Sequence, residues 1–226
     1  LNGLIKYDGY NWTVYREQLL HPDLPHTQII VSLFEDNEGM IWLGARNSLI
    51  RFDKSRQEFR HFPVKFPGSP MSAFSQISRI RQDINNKNIF WLVVLEKPVR
   101  FDKSTGDITY FGTPGDRSKL KNLQLIQDIQ QDRNGNLWVL ARGNLLKYDP
   151  VKDEIIPFRE EGFIPPSIPF VISVTKSVRR PGDLWLGYFG AVERLDTGTG
   201  ESVIHVLPGE ANQSAIHTIK ESVVDK

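Results

Sequence analysis

Apolar and polar positions alternate in short bursts along the whole chain. Runs rich in Ile, Val, Leu, Phe, Trp and Tyr are separated by turn residues, as in "NGN", "DPVKD" and "STGD". No window sustains the 3.6-residue apolar stripe of an amphipathic helix. Gly and Pro often fall where a helix would have to continue. The pattern predicts short strands joined by tight turns, and so an all-β protein.

The strands come in a repeated phrase. Trp42, Trp91, Trp138 and Trp185 lie 49, 47 and 47 residues apart. Ten residues after each Trp stands an aromatic residue or Leu followed by Asp: Phe52-Asp53, Phe101-Asp102, Tyr148-Asp149 and Leu195-Asp196. A basic residue precedes each pair: Arg51, Arg100, Lys147 and Arg194. Nine residues beyond each Asp comes Phe62, Phe111, Phe158 or His205. A period in the forties points to a propeller or a helical array, and the strand pattern selects the propeller. In the first full repeat, strand A is "QIIVSLF", strand B "MIWLG", strand C "LIRFD" and strand D "EFRHF".

Each repeated residue has a structural reading. Asp36-Asn37-Glu38-Gly39 closes the A–B hairpin, with Gly39 able to take positive φ. Trp42, Trp91, Trp138 and Trp185 fill the gap to the next blade, helped by Phe52, Phe101 and Tyr148 from strand C. The Asp after that aromatic starts the C–D turn. The basic residues lay their stems over the adjacent blade and pair with a carboxylate. Blades two and four lengthen the A–B turn: Asp83 and Ser177 lie eight residues before their Trp.

The phrase resembles the two-component regulator propeller repeat. "IIVSLFEDNEGMIWLGARNSLIRFD" and the run from Ile126 to Asp149 follow its pattern closely. Two positions depart from it. The Thr after W-x-G is Ala45, Val94, Ala141 or Tyr188, and the Gly before the Leu is Ser48, Lys97, Asn144 or Ala191. The resemblance implies a periplasmic or otherwise extracytoplasmic sensor propeller. It implies tethering to the inner membrane by other parts of the polypeptide, and an output such as a histidine kinase. It also implies an oligosaccharide or other small extracellular ligand.

Composition narrows the alternatives. Apolar residues are 39% and charged residues 24%, as in a folded globular chain. A net charge of +1 creates no field that draws the chain to nucleic acid or membrane. The absence of Cys excludes thiol catalysis, disulfides and thiolate metal sites. No cofactor motif is present, whether a phosphate-binding glycine loop, H-E-x-x-H, G-x-S-x-G or EF-hand.

Function is therefore expected in what differs between blades, on the face formed by the B–C and D–A loops. The candidate ligand-binding residues are Arg46, Asn47, Glu96, Arg142, Asn144, Tyr188, Phe189 and His26. Rings would stack on apolar sugar faces, and Arg or Asn would bind hydroxyls or carboxylates. The D–A segments add Phe66, Phe74, Asp116, Arg117, Lys119, Glu160, Glu161 and Phe163. No catalytic residue or metal ligand is assigned: His21, Asp23 and His26 fit a rigid connector, "HPDLPH", better than a metal site. The alternatives are a propeller enzyme, such as a streptogramin-type lyase or a glycan-active enzyme, and a pure protein-interaction scaffold.

The blades are expected at about 21–66, 67–115, 116–162 and 163–207, with a partial blade at 1–20 and the start of another at 208–226. Combining strands from both ends leaves out one strand, a gap of about 10 Å at ~4.8 Å between neighbours. The expectation is a segment of a larger propeller, seven blades in all, completed by the remainder of the polypeptide. An isolated segment exposes blade faces and is expected to self-associate.

Overall fold

The computed structural model describes residues 3–24, 26–65, 75–111, 126–141, 143–158, 171–208 and 214–221. The chain divides into two compact units, Leu1–Thr113 and Pro114–Lys226. Among the described residues it is all β apart from a 3-10 turn at Glu17–Leu19. No helix is long and apolar enough to cross a membrane among these residues.

The first unit opens with a hairpin, β1 (Leu4–Tyr7) and β2 (Trp12–Tyr15). Two four-stranded antiparallel sheets follow. Blade one is β3 (Ile30–Glu35), β4 (Ile41–Ala45), β5 (Ser48–Asp53) and β6 (Glu58–Pro63). Blade two is β7 (Ile77–Gln82), β8 (Ile89–Val94), β9 (Lys97–Asp102) and β10 (Ile108–Tyr110). The second unit holds blade three, formed by β11 (Ile126–Gln131), β12 (Leu137–Ala141), β13 (Asn144–Asp149) and β14 (Glu154–Pro157). It also holds blade four, formed by β15 (Ser173–Lys176), β16 (Asp183–Gly187), β17 (Ala191–Asp196) and β18 (Ser202–Val206). Strand order follows chain order in every blade, so each is a simple meander. Antiparallel order puts the A–B and C–D turns at one end of a blade and the B–C turn and D–A connector at the other.

Trp42 and Trp138 fill the space to the blade that follows. Trp42 is 1% exposed and meets Phe90 and Phe101 of blade two with centroids 4.7 and 5.9 Å apart. Trp138 joins Leu184, Leu186 and Leu195 of blade four in one core cluster. Trp91 is buried and Trp185 half-buried. Phe52 and Phe101 are buried, whereas Tyr148 is half-buried and its hydroxyl donates to Asp153 Oδ1 at 2.6 Å.

A close backbone approach explains one glycine of the W-x-G phrase. Ser32 Oγ donates to Ile77 O of blade two at 2.7 Å, and a Cβ on Gly44 would collide with both groups. Ser173, Gly187 and Ile216 repeat the arrangement in blade four, with a 2.6 Å hydrogen bond. Blades two and three carry Arg79 with Val93 and Asp128 with Leu140 at the paired positions.

Two expectations change. The basic residues Lys147 and Arg194 of strand C cover their own blades, not the adjacent ones. Lys147 Nζ lies 5.3 Å from the Trp138 ring centroid, and Arg194 donates to Asp183 at 3.1 Å. The register dictates this, because Trp138 pairs with Lys147 and Trp185 with Arg194 across neighbouring strands. The start of a further blade, expected at 208–226, makes one bridge, Phe189 to Ala215, and no ladder among its described residues. A strand A draws its ladder from strand B of its own blade, and no such strand pairs with 214–221 among the described residues.

Candidate functional site

The two ends of a blade are built differently. At the A–B end, a carboxylate organises the turn. Asp36 Oδ1 accepts from the backbone N–H groups of Glu38 (2.9 Å) and Met40 (3.0 Å), while Oδ2 accepts from Trp42 Nε1 at 2.8 Å. Asp83 accepts from Trp91 Nε1 and Asp132 from Trp138 Nε1, each at 2.9 Å. The two extra turn residues of blade two leave this bond intact. The following blade adds a further donor. Lys103 Nζ reaches Asp36 Oδ2 at 3.2 Å and Glu38 Oε2 at 2.9 Å. Thr197 Oγ1, one residue past Asp196 as Lys103 is past Asp102, donates to Asp132 Oδ2 at 3.2 Å. Burial pushes the Asp36 carboxyl up, but the bonds from Trp42, the turn amides and Lys103 outweigh it, and the pKa falls.

Blade four has Ser177 where the other blades have Asp, and its carboxylate comes from elsewhere. Glu221 accepts from Trp185 Nε1 at 2.5 Å, Ser177 Oγ at 2.9 Å, Val178 N at 2.5 Å and Arg179 N at 3.0 Å. Burial raises its pKa, but these donors prevail and lower it to about 2. Sequence reading missed this residue. Glu221 stands five residues after Ile216, as Gln82 stands five after Ile77, and Gln82 Oε1 likewise accepts from the preceding blade, at Asn37 N (3.0 Å). That spacing was the available signal.

At the B–C end the backbone is shared and the side chains differ. The equivalent turn residue of each blade has positive φ: Asn47 (62°), Glu96 (58°), Gly143 (75°) and Gly190 (65°). The left-handed position thus falls one residue before the place where the repeat pattern puts its glycine. Asn tolerates this conformation, and Leu95 and Glu96 together form a turn with two positive φ values.

The structure separates the sequence candidates. Asn47 is a clamp. Its N–H donates to Ser75 O, its Oδ1 accepts from Ser75 N, and its carbonyl accepts from Val64 N. Gly190 makes the same backbone bonds with Ser214 and Leu207. Tyr188 is 1% exposed, and its hydroxyl donates to the buried Glu193, which places it in the core instead of on the open face. Arg46 is half-buried, bridged to Gln76. Glu96, Asn144 and His26 are exposed, and Phe189 presents 52% of its surface. Arg142 and the segments 66–74, 112–125 and 159–170 lie outside the described residues.

Two histidines that the sequence did not link come together beside this end of blade one. The rings of His21 and His61 are 5.2 Å apart, and His61 Nδ1 is 3.4 Å from Ser48 Oγ. Burial, then the charge of His21, lowers the pKa of His61. His21 Nδ1 accepts from Asp23 N at 3.2 Å. Among the described residues, no three His, Asp or Glu side chains are grouped to hold a metal ion.

Comparison with known proteins agrees with this architecture. Residues 23–47 match the family model of the two component regulator propeller. No curated protein matches the chain. Among solved structures, the extracellular domain of BT4673 from B. thetaiotaomicron aligns with a TM-score of 0.61 and 17% identity over 89% of this chain and 25% of that one. It is described there as a one component system, and in a second structure, with 18% identity, as a hybrid two component system. The extracellular domain of BT3049 from the same organism, described as a hybrid two component system, gives 0.60 and 17% over 92% of this chain and 27% of that one. The chain thus spans about a quarter of the length of these relatives. Its four-stranded antiparallel blades are those of a β-propeller, and residues 23–47 carry the two component regulator propeller repeat that the sequence resembles.

Proposed function

We propose that the chain is a non-catalytic recognition module in the extracytoplasmic part of a bacterial two-component-type signalling protein. It binds an oligosaccharide or another small polar ligand at B–C loops of its blades, and the rest of the polypeptide anchors it in the inner membrane and carries the output. One observation supports this reading above the others. The A–B end repeats the same carboxylate–indole bond from blade to blade, whereas the B–C end keeps its backbone and changes its chemistry. Equivalent turns offer Glu96, Asn144 and Phe189, respectively an acid, an amide and an exposed ring. Those three groups bind hydroxyls and stack on apolar sugar faces.

The test is calorimetric titration of the whole extracytoplasmic region with neutral and acidic oligosaccharides. Binding is expected without turnover, and Phe189→Ala with Asn144→Ala should weaken it several-fold while leaving the unfolding midpoint unchanged. Binding that survives both substitutions, or release of a cleaved product, overturns the reading.

A further inference from the structure

One position of strand D differs in kind from blade to blade. Opposite Ile50, Val99, Leu146 and Glu193 stand His61, Tyr110, Pro157 and Ile204. Only blade one places an imidazole there, and the connector that enters the blade meets it with a second. The His21 and His61 rings lie 5.2 Å apart, tilted by 55°. His21 opens a tight turn: its carbonyl accepts from Leu24 N at 3.2 Å, the two residues bridge, and its Nδ1 accepts from Asp23 N at 3.2 Å. Both flanks of this turn are fixed independently. Leu19 is fully buried with Leu43, Ala45 and Ile50, and Thr27 Oγ1 donates to Leu19 O at 2.5 Å.

The Asp23 bond needs an uncharged His21. A backbone N–H donates to Nδ1 only while that nitrogen keeps its lone pair, and protonation there turns the acceptor into a second donor. The surroundings offer no compensating charge. The connector adds Asp23 and His26, both exposed. Strand β5 brings Ser48 and Ile50, which are uncharged, and Tyr15 of the hairpin packs on Phe59, two residues before His61. Arg60 is on the other face of β6, over the Phe62 ring at 4.9 Å. Among the described residues neither imidazole has an ion-pair partner. A first proton on the pair can be shared with Ser48 Oγ, 3.4 Å from His61 Nδ1, but a second sets two cations side by side. Burial and then the charge of His21 hold the pKa of His61 below its ordinary 6.5. The docked turn is therefore at full strength above that value and weakens as pH falls below it, because the lifted turn takes up protons more readily.

We infer that the His21–Leu24 turn is an acid-released latch on blade one, held down by two uncharged imidazoles at neutral pH and lifted in mild acid between its fixed flanks at Leu19 and Thr27. Lifting uncovers His61 beside Ser48, the residue that follows the B–C turn at Asn47. Mild acid thus changes the surface offered at this end of the blade, whatever the B–C turns bind.

The experiment is amide hydrogen exchange of the 226-residue chain followed by NMR, with each rate divided by its intrinsic value at that pH. Between about pH 7.5 and about pH 5.5, on either side of the ordinary histidine value, protection of the Asp23 and Leu24 amides should fall several-fold. The Glu38 and Met40 amides, in the A–B turn of the same blade, should keep theirs. His21→Gln removes one member of the pair, and His61→Tyr installs the residue of blade two. Each variant should make exchange at the turn independent of pH over this range. Unchanged protection in the parent chain overturns the inference. Acid loss that persists in either variant overturns it in favour of another titrating group, and equal loss at Glu38 and Met40 does so in favour of general acid unfolding.

Discussion

Blades one and four solve the same problem with different chemistry. Both place a Ser and a Gly against the carbonyl of an incoming Ile, at Ile77 and Ile216. Both clamp the B–C turn to a Ser ahead of that Ile, Ser75 or Ser214. They part at the indole N–H of the strand-B Trp. Blade one satisfies it with its own Asp36, six residues upstream, whereas blade four borrows Glu221 from 36 residues downstream. A buried donor must find an acceptor, but the acceptor need not be local. Blade one therefore satisfies its indole from within the blade, and blade four depends on segment 214–221.

The sharpest way to test that difference is to remove the rings. Trp42→Ala deletes a side chain 1% exposed and should cost about 3–5 kcal/mol in urea unfolding, by cavity formation. Trp185→Ala, at a half-buried site, should cost clearly less. Equal losses would mean that the two blades are packed alike. The carboxylates come next. Asp36→Ala strands the Trp42 indole donor, leaves Lys103 with Glu38 alone, and should cost about 1–3 kcal/mol. Ser177→Ala, at the matching position, should cost no more than about 1 kcal/mol, because Glu221 still holds the indole.

Smaller and more local is the effect of Glu221→Ala. Hydrogen exchange should accelerate at the Val178 and Arg179 amides and stay unchanged at Glu38 and Met40. Faster exchange at both sets would break the contrast. Acid gives the mildest test. The Glu221 pKa lies at about 2 in the folded chain, below its ordinary 4.5. Its stabilising contribution is therefore complete above the ordinary value and is lost as pH falls through the folded one. Protection of the Val178 amide should hold near neutral pH and decay in that acid window, and Glu221→Gln should flatten the profile.

Much of this architecture is legible in the residues themselves. A Trp every 47–49 residues, with an aromatic-Asp pair ten residues later, dictates four-stranded blades, because period and alternation are local properties. The observed strands of blade one, Ile30–Glu35 through Glu58–Pro63, lie within two residues of their expected bounds. Side-chain partnerships were harder to read. Tyr188 sits in a loop by sequence, yet its hydroxyl finds Glu193 across the hairpin and the ring is drawn inward. Asn47 reads as a ligand contact but is engaged by Ser75, 28 residues away. His21 and His61 lie 40 residues apart in sequence, and only the fold makes them neighbours.

The residue that follows each strand-C Asp has a consequence for how such chains can be rearranged. Lys103 and Thr197 reach back to the turn carboxylate of the blade before them, one with a charge and the other with a hydroxyl. Blades two and four are thus each keyed to the blade before them. If the two following blades were exchanged, Thr would face Asp36 and Glu38 without the cation that neutralises them, and Lys would meet an Asp132 already supplied by Asn136 and Trp138. Order along the chain is written into these contacts, so duplication or shuffling of blades would have to carry neighbouring turns together as one heritable word.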